Sequence, residues 1–197
     1  EPIGNGFYDF TEHPVDASLD GAKSVVMADV DGDDDMDIIG ALEFTDSITW
    51  WENLSGNGLS FSEHIVDSTF DGAGSVIGAD VNDDGKMDIV GAASLGDEIA
   101  WWENLNGSGT SWTKHPVDGS FDGATSVQAA DVDGDLDLDL VAAGGSADGD
   151  VAWFENTAGS GIAWTTHTID GGAPFGSFSS VSVADLDIDG DIDVFSA

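Results

Sequence analysis

A motif that recurs about every 51 residues constrains this chain more than any other feature. The segment Ala28-Asp29-Val30-Asp31-Gly32-Asp33 has counterparts beginning at Ala79, Ala130 and Ala184, so the copies start 51, 51 and 54 residues apart. Trp50-Trp51-Glu52-Asn53 returns as Trp101-Trp102-Glu103-Asn104 and Trp153-Phe154-Glu155-Asn156, and His-x-Val/Ile-Asp units begin at His13, His64, His115 and His167. Such a period marks one supersecondary unit copied and stacked, because a single unit cannot bury its own apolar face. Within a period the apolar runs 75–81, 87–93, 98–103 and 111–117 are short, rich in β-branched or aromatic residues, and bounded by Gly, Asn, Asp or Ser. They read as four strands per repeat with almost no helix.

Four short antiparallel strands per repeat predict an all-β fold, a β-propeller of about four repeats in one domain over 1–197. The units are 24–67, 75–118, 126–170 and a partial 180–197; 1–16 forms an outer strand, around 7–15, that completes the last blade. Adjacent residues on a strand face opposite ways, so the paired aromatics are expected to fill the two interfaces flanking each blade. The rival reading makes them stacking platforms for sugars, for which Trp112, Trp164, Phe61 and Phe10 on the outer strand are better placed. The fourth unit has no Trp-Trp strand. The ring then closes with a gap, borrows a strand from another subunit, or is a section of a longer propeller.

Between the first two strands, side-chain oxygens fall at offsets 0, 2, 4 and 8. The sets are Asp29, Asp31, Asp33, Asp37; Asp80, Asn82, Asp84, Asp88; Asp131, Asp133, Asp135, Asp139; and Asp185, Asp187, Asp189, Asp193. Carboxylates packed this closely repel one another unless a cation sits among them, and an all-oxygen donor set suits hard Ca2+, up to four ions at one per repeat. Zinc prefers nitrogen or sulfur, and magnesium demands a stricter octahedron. By analogy with helical calcium loops, the backbone carbonyls of Asp35, Lys86, Asp137 and Asp191 at offset 6 complete the set. The helical hand itself is excluded, because its twelfth position, a bidentate Glu, is here Gly40, Gly91, Ala142 and Ser196.

These loops, with the Trp-Trp-Glu-Asn strand, resemble the FG-GAP or VCBS repeats of calcium-binding β-propellers, whose blades also occur in integrin α-subunits, microbial surface proteins, some lectins and polysaccharide lyases. The resemblance spans essentially the whole chain and implies calcium between the first two strands of each blade. Two departures stand out. The family's Gly at offset 5 is present as Gly85 and Gly190 but is Asp34 and Leu136 elsewhere, with Gly32 and Gly134 two residues earlier. Leu is poorly suited to a left-handed turn, which puts the third loop in question. The family's usual seven-bladed ring also needs more than 197 residues.

Charge narrows the function classes. With 40 Asp+Glu against 3 Lys+Arg the net charge is −37, which removes the basic footprint of a nucleic-acid binder. Four calcium ions would leave about −29, a charge that calls for salt or calcium-rich surroundings. At 41% hydrophobic residues the chain can still bury a core, so acidity does not mean disorder. No apolar run is long enough for membrane insertion as a helix, the first residues do not resemble a signal peptide, and the absence of cysteine excludes disulfides and thiolate sites.

Catalytic groups break a repeat, and none does here. The histidines recur in register, which favours structural hydrogen bonds; Asp16, Asp67, Asp118 and Asp170 read as turn caps; Lys23, Lys86 and Lys114 read as surface residues. Sequons begin at Asn53 and Asn106, and the insertion 171–178 is the main irregularity. The expectation is a non-catalytic, calcium-stabilised extracellular module with a structural or adhesive role. It would self-associate through an open blade edge into oligomers or filaments, or take a glycan or a cell-surface protein as ligand. The alternatives are a carbohydrate-binding module and the accessory propeller of a secreted polysaccharide-degrading enzyme.

Overall fold

The computed structural model describes residues 11–17, 19–145, 150–171 and 178–197. Fourteen strands and no helix occur among them. Sheet 1 is β1 (Ala22–Ala28), β2 (Asp37–Leu42), β3 (Ser47–Asn53) and β4 (Phe61–Asp67). Sheet 2 is β5 (Ala73–Ala79), β6 (Asp88–Ala93), β7 (Glu98–Asn104) and β8 (Trp112–Asp118). Sheet 3 is β9 (Ala124–Ala130), β10 (Asp139–Gly144), β11 (Asp150–Asn156) and β12 (Trp164–Gly171), and sheet 4, among the described residues, is β13 (Val181–Ala184) and β14 (Asp193–Ser196). Every pairing is antiparallel between chain neighbours. The outer strand anticipated at 7–15 lies largely outside the described residues, and its described part, from Thr11 onward, carries no strand.

The sheets pack face to face in chain order, which explains why β6 and β10 are buried along their whole length. Their runs, Asp-Ile-Val-Gly-Ala-Ala and Asp-Leu-Val-Ala-Ala-Gly, show no polar alternation because both faces are covered. The paired aromatics divide between the interfaces as strand geometry requires. Trp50 shares a core with Trp102 of the next sheet, and Trp101 shares the following core with Phe154. All four rings are buried, which supports their reading as core.

Polar atoms then lock each interface. Trp50 Nε1 donates to the Gly109 carbonyl at 3.2 Å and Trp101 Nε1 to the Gly161 carbonyl at 2.8 Å, each glycine lying in the β7–β8 or β11–β12 turn of the following sheet. In the reverse direction Asn104 Nδ2 donates to the Val30 carbonyl at 2.9 Å, and Asn156 Nδ2 to the Val81 carbonyl at 3.2 Å. Trp102 Nε1 reaches Asp67 Oδ2 at 3.2 Å. Trp51, its counterpart in sheet 1, has a buried N–H with no hydrogen bond among the described residues.

Gly109 has φ +63°, and a Cβ there would run into the Trp50 ring. Gly109→Ala should therefore lose about 2–4 kcal/mol in urea unfolding, through backbone strain plus a displaced indole; a loss below about 0.5 kcal/mol would refute this role. Trp102→Phe should cost about 1 kcal/mol more than Trp51→Phe, because only the former forfeits a hydrogen bond. Phe154 already fills the equivalent place in sheet 3.

Candidate metal centre

Each loop between first and second strands is folded by its own carboxylates. The offset-0 aspartate accepts backbone N–H bonds on both oxygens. Asp29 takes them from Gly32 (2.8 Å), Asp33 (3.1 Å) and Asp34 (3.0 Å), Asp80 from Asp84 (3.0 Å) and Gly85 (2.8 Å), Asp131 from Gly134 (2.8 Å) and Leu136 (3.1 Å), and Asp185 from Asp189 and Gly190 (both 3.1 Å). At offset 2, Asp31, Asn82, Asp133 and Asp187 each accept from the residue two further on, and so do Asp33, Asp84, Asp135 and Asp189 at offset 4. These are Asx turns, the local alternative that Asp and Asn offer the backbone.

The offset-8 aspartate has a different task. Asp37, Asp88 and Asp139 are buried and bridge two N–H groups, one from the loop (Val30, Val81, Val132) and one from the end of the third strand (Asn53, Asn104, Asn156), at 2.8–3.1 Å. Asp193 makes the loop half of this bridge, to Leu186 N at 3.0 Å.

Three loops gather three carboxylates whose oxygens lie within 4.8 Å of one another: Asp29, Asp31, Asp33; Asp131, Asp133, Asp139; and Asp185, Asp187, Asp193. The second loop differs. Asn82 replaces one carboxylate, and Lys86 Nζ sits 2.6 Å from Asp84 Oδ2, holding that carboxyl below the usual range against the opposing effect of burial. At offset 6 the N–H groups of Asp35, Lys86, Asp137 and Asp191 bind the offset-4 side chains. The side chains of Asp35, Lys86 and Asp137 pack over the turn glycines Gly56, Gly107 and Gly159.

Both offset 3 and offset 5 are left-handed in all four loops, and each loop has one glycine for the two places. The pairs are Gly32 and Asp34, Asp83 and Gly85, Gly134 and Leu136, and Ile188 and Gly190. Leu136, the residue that put the third loop in question, adopts φ 78°, and Ile188 adopts φ 63°. Both side chains project into solvent, so strain at these two positions is borne by the backbone.

His64, His115 and His167 stack on Trp50, Trp101 and Trp153 at 4.6, 4.6 and 4.3 Å and meet Glu52, Glu103 and Glu155 at 2.9, 2.9 and 2.7 Å. Asp67 and Asp118 cap turns through Thr69 and Ser120. Trp112 and Trp164 are half-buried, with their indole N–H groups bound to Gly109 and Gly161, so they seal the cores rather than stand as open platforms. Phe10 lies outside the described residues. Lys114 is not a free surface residue, since it pairs with Glu98 (2.8 Å) and Asp67 (3.7 Å) and lies over Phe70. Asn53 is buried with its amide donating to the Met36 carbonyl, closing that sequon in the folded chain, whereas Asn106 is exposed. The insertion 171–178 is described only at Gly171 and Phe178.

The carboxylates of these loops hold charge at a cost. Burial first, then Asp37 and Asp33, push Asp31 up to about 6, and burial pushes Asp88 up to about 6 against hydrogen bonds from Asn104 and Val81. Asp37 and Asp139 are raised by burial too. A raised folded pKa gives stability that is complete below the unfolded value and is lost as pH climbs through the folded one. In chelator, the unfolding temperature should therefore fall between about pH 4 and 7. A rise across that window would contradict the assignment.

No curated protein matches the chain in sequence. Among solved structures, the V. cholerae biofilm matrix protein Bap1 is similar at a TM-score of 0.49 and 20% identity; the match covers 90% of this chain but spans only 28% of that one. The profile of the FG-GAP-like repeat matches residues 80–142 and 131–196, together more than half of the sequence. The chain belongs to the FG-GAP-like repeat family.

Proposed function

We propose that the chain is a non-catalytic, calcium-stabilised module of the β-propeller kind, acting outside the cell as a structural or adhesive element. The observation that carries this reading is the set of four loops in one register, three of which bring carboxylate oxygens together, while in all four the loop's own N–H groups hold the side chains in place. The donors are all oxygen, as a hard cation requires. Asp29, Asp31, Asp33 and Asp37 would hold the first ion, Asp131, Asp133, Asp135 and Asp139 the third, and Asp185, Asp187, Asp189 and Asp193 the fourth. The carbonyls of Asp35, Asp137 and Asp191 would complete them. Asp80, Asn82, Asp84 and Asp88, with the Lys86 carbonyl, form the second and weakest site, because the Lys86 ammonium already neutralises Asp84. Burial comes first in raising Asp31, and a bound cation would relieve the repulsion from Asp37 and Asp33 that adds to it. It would pin the loops to the strands they join.

The propeller assignment is supported by four-stranded sheets stacked in chain order with both faces buried. The extracellular assignment is supported by acidity and by loops suited to the millimolar calcium found there. A structural role is supported by His64, His115 and His167, each committed to a tryptophan and a glutamate.

Calcium titration followed by thermal unfolding tests the reading. Calcium at 100 times a site's Kd should add about 2.7 kcal/mol for that site. Asp133→Asn combined with Asp135→Asn, each keeping the one acceptor oxygen that its Asx turn uses, should remove one site's share while changing stability in chelator little. An unfolding temperature indifferent to calcium, or raised equally by magnesium, would overturn the assignment.

A further inference from the structure

We propose that Lys114 and Asp67 condense to an amide, a self-formed covalent cross-link between sheets 1 and 2 in which Glu98 moves the protons. The proposal goes beyond the module reading and rests on neither the acidic loops nor any cation.

The seam between these two sheets departs from the repeat. Strand pairing sets Lys114 opposite Trp102, the register that Glu63 holds opposite Trp51 and Thr166 opposite Phe154. Glu98 opens β7, where Ser47 opens β3 and Asp150 opens β11. Asp67 closes β4, and its counterpart Asp118 closes β8. The ammonium is therefore the new element, set beside a carboxylate that the repeat already supplied. The other two lysines pair at exposed positions, Lys23 with Glu43 and Lys86 with Asp84, each within its own sheet or loop. Lys114 alone among the three reaches an acid of the neighbouring sheet.

Lys114 Nζ lies 2.8 Å from Glu98 Oε2 and 3.7 Å from Asp67 Oδ2. Phe70 and Trp102 wall the group, their ring centres 4.8 and 5.6 Å from Nζ. The Asp67 side chain is 11% exposed. Donors hold both of its oxygens: the Trp102 indole N–H on Oδ2 at 3.2 Å, and the Thr69 N–H and hydroxyl on Oδ1, both at 2.8 Å. Burial would raise this carboxyl, but the Thr69 donors, the Lys114 ammonium and the indole outweigh it and hold it below its usual range. An ammonium and a carboxylate are thus pressed together against two aromatic rings. Burying both charges is costly, and condensation removes them. Well-oriented groups on one molecule react as if present at about 10⁵–10⁸ M, which favours joining them.

The step balances without a further reactant. Glu98 takes one proton from the ammonium, and the freed lone pair on Nζ attacks Asp67 Cγ. The indole and Thr69 donors face the oxygens on which negative charge then builds. Glu98 returns its proton to one of those oxygens, the nitrogen gives up a second, the Cγ–O bond breaks and water leaves. One ammonium and one carboxylate become one secondary amide and one water, with no change in net charge or oxidation state. The reaction happens once per chain, so it is maturation and leaves no turnover to observe. A chain without cysteine gains by it a covalent staple across a seam, closed without any oxidant.

The intact mass of the purified chain tests the bond. It should fall short of the sequence mass by one water. Trypsin then locates the loss, because Lys23, Lys86 and Lys114 are the only residues it cuts after. The cross-linked chain should resist cleavage after Lys114 and keep 24–86 joined to 87–197. Lys114→Arg, which retains the cation, should show the full mass and release 24–86. Glu98→Gln should slow formation about hundredfold or more, the share of a positioned acid–base group, read as the cross-linked fraction against time after synthesis. Full mass in the unmodified chain would overturn the proposal. So would a lost water with 24–86 released, which marks an amide to Glu98 or a succinimide at an Asp-Gly pair. Formation at the unmodified rate in Glu98→Gln would overturn the proton relay.

Discussion

The buried aspartate that opens each second strand is the interaction on which the rest of a repeat depends. Asp37, Asp88 and Asp139 each tie the loop to the far end of the third strand through two backbone N–H groups. The asparagine at that strand end carries the connection outward. Asn104 accepts from Gly109 N, so it positions the very turn whose carbonyl receives Trp50 from the neighbouring sheet, and it donates to Val30 in that neighbour's loop. One buried carboxylate therefore fixes the loop, the β7–β8 turn and the seam between sheets. Removing it would leave two buried N–H groups without partners, each costing about 1–3 kcal/mol. That coupling explains why carboxylates with raised pKa values are retained in a fold that is already highly acidic.

The loops answer the same repulsion in two ways. In the second, the Lys86 ammonium neutralises Asp84, at the expense of one carboxylate and of an open centre. In the first, third and fourth, carboxylates are left facing one another, and the backbone is bent through two left-handed residues to keep them so. Asp at offsets 3 and 5 tolerates that conformation better than Leu136 or Ile188, since its short polar side chain can bond locally. Loops one and two are thus less strained by sequence than loops three and four, although only the second is self-neutralised.

The repeat made much of this legible. A period of 51 residues placed the strands within two residues at most ends, and the alternation of side chains along a strand assigned each aromatic of a pair to its own interface. The offset pattern located the carboxylates. What the sequence hid are contacts with no local signature. The Trp50–Gly109 and Trp101–Gly161 hydrogen bonds join residues 59 and 60 positions apart, and Gly109 looks like any turn glycine. The left-handed pair at offsets 3 and 5 was half visible, because glycine moves between the two places and only the backbone shows that both are required. Lys114 looked like surface for the same reason: besides Glu98 of its own sheet, its partners Asp67 and Phe70 come from the preceding repeat.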